Sequence, residues 1–252
     1  MSANPVLPVL GQTPPPGANS PRLPSPAPVP IPPHTLEFYY DALFRVHGPQ
    51  HWWPGRTRFE IIVGAILTQN TSWTNVERAI HNLRQQKLLS PTAMARVSPA
   101  RLARLIRSSG YFRQKARKLK AFVRYLGDVH HGSLTKMFRT PTAVLREQLL
   151  SVHGIGPETA DSILLYAGKH PVFVVDAYTR RILERHHLAQ GKESYDEIRS
   201  LFERNLPSSA ALFNEYHALI VHTGKHFCRA RAPLCEACAL RPFLPPPAEA
   251  AP

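Results

Sequence analysis

Between residue 34 and the mid-240s, apolar positions recur at helical spacing, and no run of alternating β-branched residues is long enough to build a sheet. The pattern therefore predicts an all-α core. Helices are expected at 34–47, 57–70, 73–86, 99–108, 112–130, 142–151, 157–169, 177–188, 194–205 and 209–226. Two start signals sharpen these limits. Thr57 and Glu60 have capping-box spacing ahead of Ile61, Ile62 and Ala65, and Ser98 stands before Pro99, a residue suited to the first helical position.

The ends follow no such pattern. Residues 1–33 hold twelve prolines and a single charge, Arg22, so they lack the apolar surface needed to fold and are expected to form a stiff, disordered Pro-rich tail. A docking peptide for a partner is the functional alternative. Residues 245–252 form a second tail of the same kind.

Charge adds a partner class. Thirty-one Lys and Arg face 17 Asp and Glu, a formal charge of +14 that favours a polyanion. Residues 78–127 carry thirteen Lys or Arg and no Asp or Glu. Ordinary surfaces intersperse both signs, so this interval reads as a basic face for phosphates, with Lys115 among its members. No apolar run approaches the length of a spanning helix, and the N-terminus lacks a signal-peptide pattern. The expected setting is cytoplasmic and nucleoid-associated, without a membrane partner, and the chain is expected to act as a monomer.

The sharpest local signal is the stretch from Leu149 to Ile163. An apolar helix ends at Ser151, Gly154 and Gly156 flank Ile155, and Pro157 opens a second helix. Glycines allow a tight turn and close approach, so the N–H groups of Gly154, Gly156 and the new helix can face a phosphate while Ile155 plugs back between the helices. With Leu149, Val152, Ala160 and Ile163 around it, the stretch reads as a helix-hairpin-helix. Asp176 follows the apolar run Val172-Phe173-Val174-Val175. An Asp at that place is a helix N-cap. The apolar run also buries the turn, which makes Asp176 a candidate catalytic carboxylate.

These features in this order resemble the endonuclease III superfamily of base-excision repair glycosylases. The resemblance covers roughly residues 36–240 and rests on Phe59 to Thr71, Gly110-Tyr111 with Lys115-Ala116, the hairpin, and Val174-Val175-Asp176 with Arg180-Arg181. It implies two helical subdomains flanking a DNA cleft: a discontinuous one from 34–57 and 171–227, and a central one from 58–170 with its helix-hairpin-helix at 142–169. Residues 228–244 would form a Cys loop. It also implies catalysis by Asp176, a place for Gln69 near the gap left by an extruded nucleotide, and phosphate contacts at Gly154, Gly156, Thr159 and Lys115. Bifunctional members place an imine-forming Lys where this chain has Glu158, so a monofunctional, water-using enzyme is expected. The segments Trp52-Trp53-Pro54, Thr68 to Trp73 and Gly224-Lys225 are similar to those of endonuclease III-type 3-methyladenine glycosylases. By that likeness Trp52, Trp53 and Trp73 would hold the base, with Lys225 close by. An N3-alkylated adenine is cationic and leaves easily, and an electron-rich aromatic surface suits it.

Cys228, Cys235 and Cys238 stand in a C-x6-C-x2-C pattern where many family members bind a [4Fe–4S] cluster through a further C-x5-C step, but Leu244 occupies the fourth place. A cluster with three Cys and an outside ligand, a zinc site completed by His226, and an empty loop all stay open. The expectation is a base-excision repair glycosylase that flips alkylated purines such as 3-methyladenine out of damaged double-stranded DNA. Alternatives are an endonuclease III-like activity on oxidised pyrimidines or mismatches, with or without weak lyase function, and a non-catalytic helix-hairpin-helix DNA-binding protein.

Overall fold

The computed structural model describes Pro32, residues 34–52 and residues 55–245. Apart from Pro32 and Pro245, the two predicted tails lie outside these residues, as does Trp53. Twelve α-helices follow one another: α1 Thr35–His47, α2 Arg58–Leu67, α3 Trp73–Gln85, α4 Pro91–Arg96, α5 Pro99–Leu105, α6 Phe112–His130, α7 Leu134–Met137, α8 Thr142–Ser151, α9 Pro157–Ser162, α10 Ala177–Arg185, α11 Tyr195–Asn205 and α12 Ala210–His226. No strand occurs among the described residues. The fold is all-α, as the spacing predicts.

Departures from the predicted limits have local causes. Helix α2 stops at Leu67 rather than near residue 70, and the following turn brings Asn70 to a left-handed φ of 52°. Helix α10 ends at Arg185 rather than near 188, because His187 turns left-handed and Leu188 N–H bonds back to Leu183 O. Short helices α4 and α7 go beyond the predicted set; one and two turns carry too few positions to show a period. The Ser98 cap forms, its hydroxyl accepting from Arg101 N–H at 3.3 Å. At Thr57 only half the capping box forms: Thr57 Oγ1 accepts from Glu60 N–H, but the Glu60 carboxylate is drawn to Arg84 at 2.7 Å.

Two hydrophobic cores result. One is built from α2 to α9 around Ile62, Ile66, Leu102, Phe122 and Leu149. The other gathers Leu36, Leu43, Phe173, Phe202, Phe213 and Tyr216 from α1 and α10 to α12 and the segment before α10. They meet along α9, which continues through Ile163–Gly168 as a π-helical turn. That wider turn sends Ile163, Leu164 and Ala167 into the first core and Leu165 and Tyr166 into the second.

The segment between α9 and α10 is extended and has no strand beside it, so its backbone donors need other partners. Helix α11 supplies two: Phe173 N–H donates to the Glu203 carboxylate at 3.0 Å and Val175 N–H to the Tyr195 hydroxyl at 3.3 Å. The same helix is tied to the hairpin by ions. Arg146 of α8 donates through Nε and Nη2 to the fully buried Asp161 of α9, at 2.7 and 3.2 Å, and also reaches Asp196 of α11 at 2.8 Å. Burial pushes the Asp161 carboxyl above its ordinary value despite this pairing. Removing the arginine strands a buried carboxylate. Arg146→Met is expected to cost about 3–5 kcal/mol in urea unfolding, and adding Asp161→Leu to recover much of that loss; a single variant as stable as wild type would refute the role of the pair.

Candidate active site

The hairpin forms as a tight turn. Helix α8 ends at Ser151, Ile155 is buried in the first core, and Gly156 precedes α9 without a side-chain cap. Gly154 has φ +82°, and a Cβ there would run into the side chain of Lys118. Both conditions call for glycine. Gln69, from the turn after α2, donates to Gly154 O at 3.1 Å and to Thr159 Oγ1 at 2.9 Å, and accepts from Lys118 Nζ. The hairpin is thus fastened to α2 and α6.

A cleft of about 1130 Å³ opens between the hairpin and α12. It gathers Trp52, Gln69, Trp73, Glu158, Asp176 and Lys225, together with Gly154, Gly156 and Thr159. The Trp52 and Trp73 rings lie 6.5 Å apart, and the Lys225 ammonium sits 5.6 Å from the Trp52 ring centroid. Asn214 holds the Trp52 loop by donating to Trp52 O at 2.7 Å.

Asp176 lines this cleft and is the helix N-cap that its position predicts. It caps α10, its Oδ1 accepting from Thr179 N–H at 2.8 Å and Thr179 Oγ1 at 3.0 Å. Its Oδ2 lies 3.6 Å from His217 Nε2 of α12. Burial by itself raises the carboxyl pKa, but His217 and the Thr179 hydrogen bonds outweigh it and hold Asp176 below its ordinary value. Glu158, exposed to the cleft, is pushed the other way by the surrounding protein and the Asp176 charge. The two carboxyl groups of the cleft are thus shifted in opposite directions. Close packing brings α10 and α12 together: at Gly224 a Cβ would strike the Tyr178 ring.

Two expected contacts are corrected. Lys115 does not offer its charge to phosphates: it is 2% exposed, and its Nζ donates to Leu67 O at 2.9 Å and Ser109 O at 2.5 Å. Burial, with Lys118 nearby, lowers its pKa to about 8. It caps the C-terminal end of α2. Lys120 likewise closes α4, donating to Met94, Ala95 and Val97 carbonyls. The Thr159 hydroxyl is buried under Gln69, so at that residue only the backbone N–H of the first turn of α9 stays a candidate for phosphate. Exposed members of the basic interval include Arg104, Arg107, Arg113 and Arg117. His217, Tyr166 and Tyr195 also line the cleft, and no sequence motif points to them.

The cysteines lie apart from this cleft. Cys228, Cys235 and Cys238 line one cavity of about 10 Å³ with Leu244, and Arg185 Nη1 donates to Cys228 Sγ at 3.0 Å. The fourth position of a cluster-binding loop is thus an apolar side chain facing the thiols. No group of three or more His, Cys, Asp or Glu among the described residues is arranged to hold a metal ion. His226 is not among the residues lining that cavity and packs against the His222 ring, 4.6 Å between centroids, which removes it from the expected zinc set. The loop does not fit a cluster held by four cysteines.

Comparison with known proteins now decides the family. The model of the HhH-GPD superfamily of base-excision DNA repair proteins matches residues 63–208. The chain belongs to this superfamily. A Methanocaldococcus jannaschii protein provisionally named a DNA repair glycosylase is 47% identical over 206 residues, covering 81% of this chain and 93% of that protein. Endonuclease III of Thermotoga maritima is 29% identical, over 73% of this chain and 80% of its own. Among solved structures, an H. pylori 3-methyladenine DNA glycosylase bound to 1,N6-ethenoadenine is 30% identical with a TM-score of 0.63, covering 75% of this chain and 95% of that one. A non-covalent endonuclease III–DNA complex, 22% identical, shares the fold with a TM-score of 0.74, over 85% and 95% of the two chains. This HhH-GPD protein is a base-excision repair DNA glycosylase, which sets aside the non-catalytic alternative. No helix among its described residues is long and apolar enough to cross a membrane.

The correction at Lys115 is open to test. Lys115→Met is expected to leave the salt dependence of duplex binding unchanged while costing about 1–3 kcal/mol of stability through its orphaned carbonyls. A shallower salt slope with unaltered stability would restore the phosphate contact.

Proposed function

We propose that this glycosylase is monofunctional, hydrolysing the N-glycosidic bond of alkylated purines such as 3-methyladenine after flipping the base into the cleft. The observation that carries this reading is the Asp176 carboxylate, capped by Thr179 and facing His217, with Glu158, not an amine, in the same cleft. Glu158 cannot form an imine with the sugar. Lys169 does not line the cleft, and the two cleft lysines are engaged, Lys118 with Gln69 and Lys225 over Trp52.

In the proposed reaction the C1′–N bond breaks with its electron pair leaving on the base. Asp176 stabilises the oxocarbenium-like sugar and orients a water, whose oxygen bonds to C1′ and whose proton passes to the carboxylate. Flipping costs a few kcal/mol, offset by stacking between Trp52 and Trp73 and by phosphate contacts at the hairpin N–H groups of Gly154, Gly156 and the start of α9. The Lys225 contact supports the choice of base, because it marks the Trp52 face as a surface on which a cation rests. A methylated purinium would take that contact over. The relative bound to 1,N6-ethenoadenine supports alkylated purines as the class.

A panel of duplexes tests this: dimethyl-sulfate-treated DNA and oligonucleotides with 1,N6-ethenoadenine, thymine glycol or a G·U mismatch. Mass spectrometry is expected to find methylated purines released, with no strand breaks before alkali and no protein–DNA adduct after borohydride. Release of thymine glycol alone, or a trapped adduct, would overturn the substrate class or the monofunctional chemistry respectively.

A further inference from the structure

His217 is buried in α12, outside every motif that marked the cleft. Its Nδ1 lies 2.5 Å from the Tyr166 hydroxyl, and Tyr166 lines the cleft beside Trp52. The other ring nitrogen of His217 is Nε2. That atom is buried, has no hydrogen-bond partner, and faces Asp176 Oδ2 at 3.6 Å. A buried donor left unpaired carries a cost unless something at the site uses it.

We propose that His217 is a positioning residue for Asp176: its Nδ1 accepts from the Tyr166 hydroxyl, which fixes the ring and leaves the proton on Nε2, facing the carboxylate. This rests on the reading of Asp176 as the catalytic carboxylate. Thr179 takes up Oδ1 through two hydrogen bonds, so Oδ2 is the oxygen left to meet the sugar and the water. His217 N–H sets where that oxygen points. At 3.6 Å the contact is within ion-pair range and a few tenths of an ångström longer than a hydrogen bond. The Phe173 ring stands edge-on to His217, 6.4 Å between centroids, and limits its tilt.

Other titratable groups stand around this carboxylate. Glu158 of α9, Tyr166 of the π-turn, Tyr178 of α10, Tyr195 of α11 and Lys225 of α12 line the same cleft. His217 and Thr179 are the groups that hold the Asp176 pKa down. Loss of His217 therefore raises it, and activity is lost at a higher pH on acidification.

The test is single-turnover excision against pH, on whichever panel duplex the wild type cleaves fastest. His217→Leu is expected to lower the rate constant about 100-fold, to move the acid limb to higher pH, and to leave duplex affinity unchanged. His217→Gln should recover part of the rate, since its amide oxygen can accept from Tyr166 while its NH2 donates to Asp176. Tyr166→Phe should fall between them. A folded His217→Leu enzyme with wild-type rate and acid limb, or a Gln variant no better than Leu, overturns the proposal. If the leucine variant does not fold, Tyr166→Phe decides, and an unmoved acid limb and rate refute it. Asp176→Asn separates the two levels. Excision by that variant sinks the catalytic reading beneath, whereas an inactive Asp176→Asn beside unimpaired His217 and Tyr166 variants overturns the positioning role alone.

Discussion

A carboxylate taken out of bulk water stays charged only if the protein replaces its hydration, and much of the second core is organised around that requirement at Asp176. The replacement comes from three directions. Thr179 gives two donors to one oxygen, the imidazole of His217 faces the other, and the dipole of α10 starts at the same residue. Each of these needs its own support. His217 is fixed by Tyr166, which only the π-turn of α9 turns into the second core. The approach of α10 to α12 depends on a glycine at 224.

The hairpin and the carboxylate belong to different cores, so their spacing depends on what joins them. Helix α11 does this twice over. It caps the backbone of the extended segment before Asp176 through Tyr195 and Glu203, and it accepts the Arg146 ion pair from α8. The hairpin and Asp176 are thereby held at a set separation by directional polar contacts as well as by apolar packing. On the α12 wall of the cleft the Lys225 side chain rests on Trp52.

Much of this is legible in the residues. The limits of α6 and α8 can be read to the residue because α6 carries a long apolar stripe and α8 is bounded by Pro141 and the hairpin turn. The hairpin is legible because its two glycines and Pro157 have strict conformational reasons to stand where they do. Lys115 misleads because a lysine within a basic run reads as surface, and nothing local shows that its stem crosses the core to reach the carbonyl end of α2. His217 escapes notice for the opposite reason. Helix α12 is apolar around most of its circumference, so a histidine there looks like core. A signal is nevertheless present: His217, Val221 and Lys225 fall at i, i+4 and i+8, and all three line the cleft. The Tyr166 contact leaves no trace in the sequence, because it depends on the change from α to π geometry that redirects one side chain.

The central claim is that one ionised side chain, Asp176, carries the chemistry while the hairpin carries the grip. Single-turnover excision by Asp176→Asn, measured beside equilibrium binding of the same damaged duplex, tests it most directly. The account predicts duplex affinity close to wild type and excision reduced by several orders of magnitude, since the amide caps α10 but cannot offset positive charge on the sugar. Excision at a rate near wild type by a variant that binds normally would contradict it.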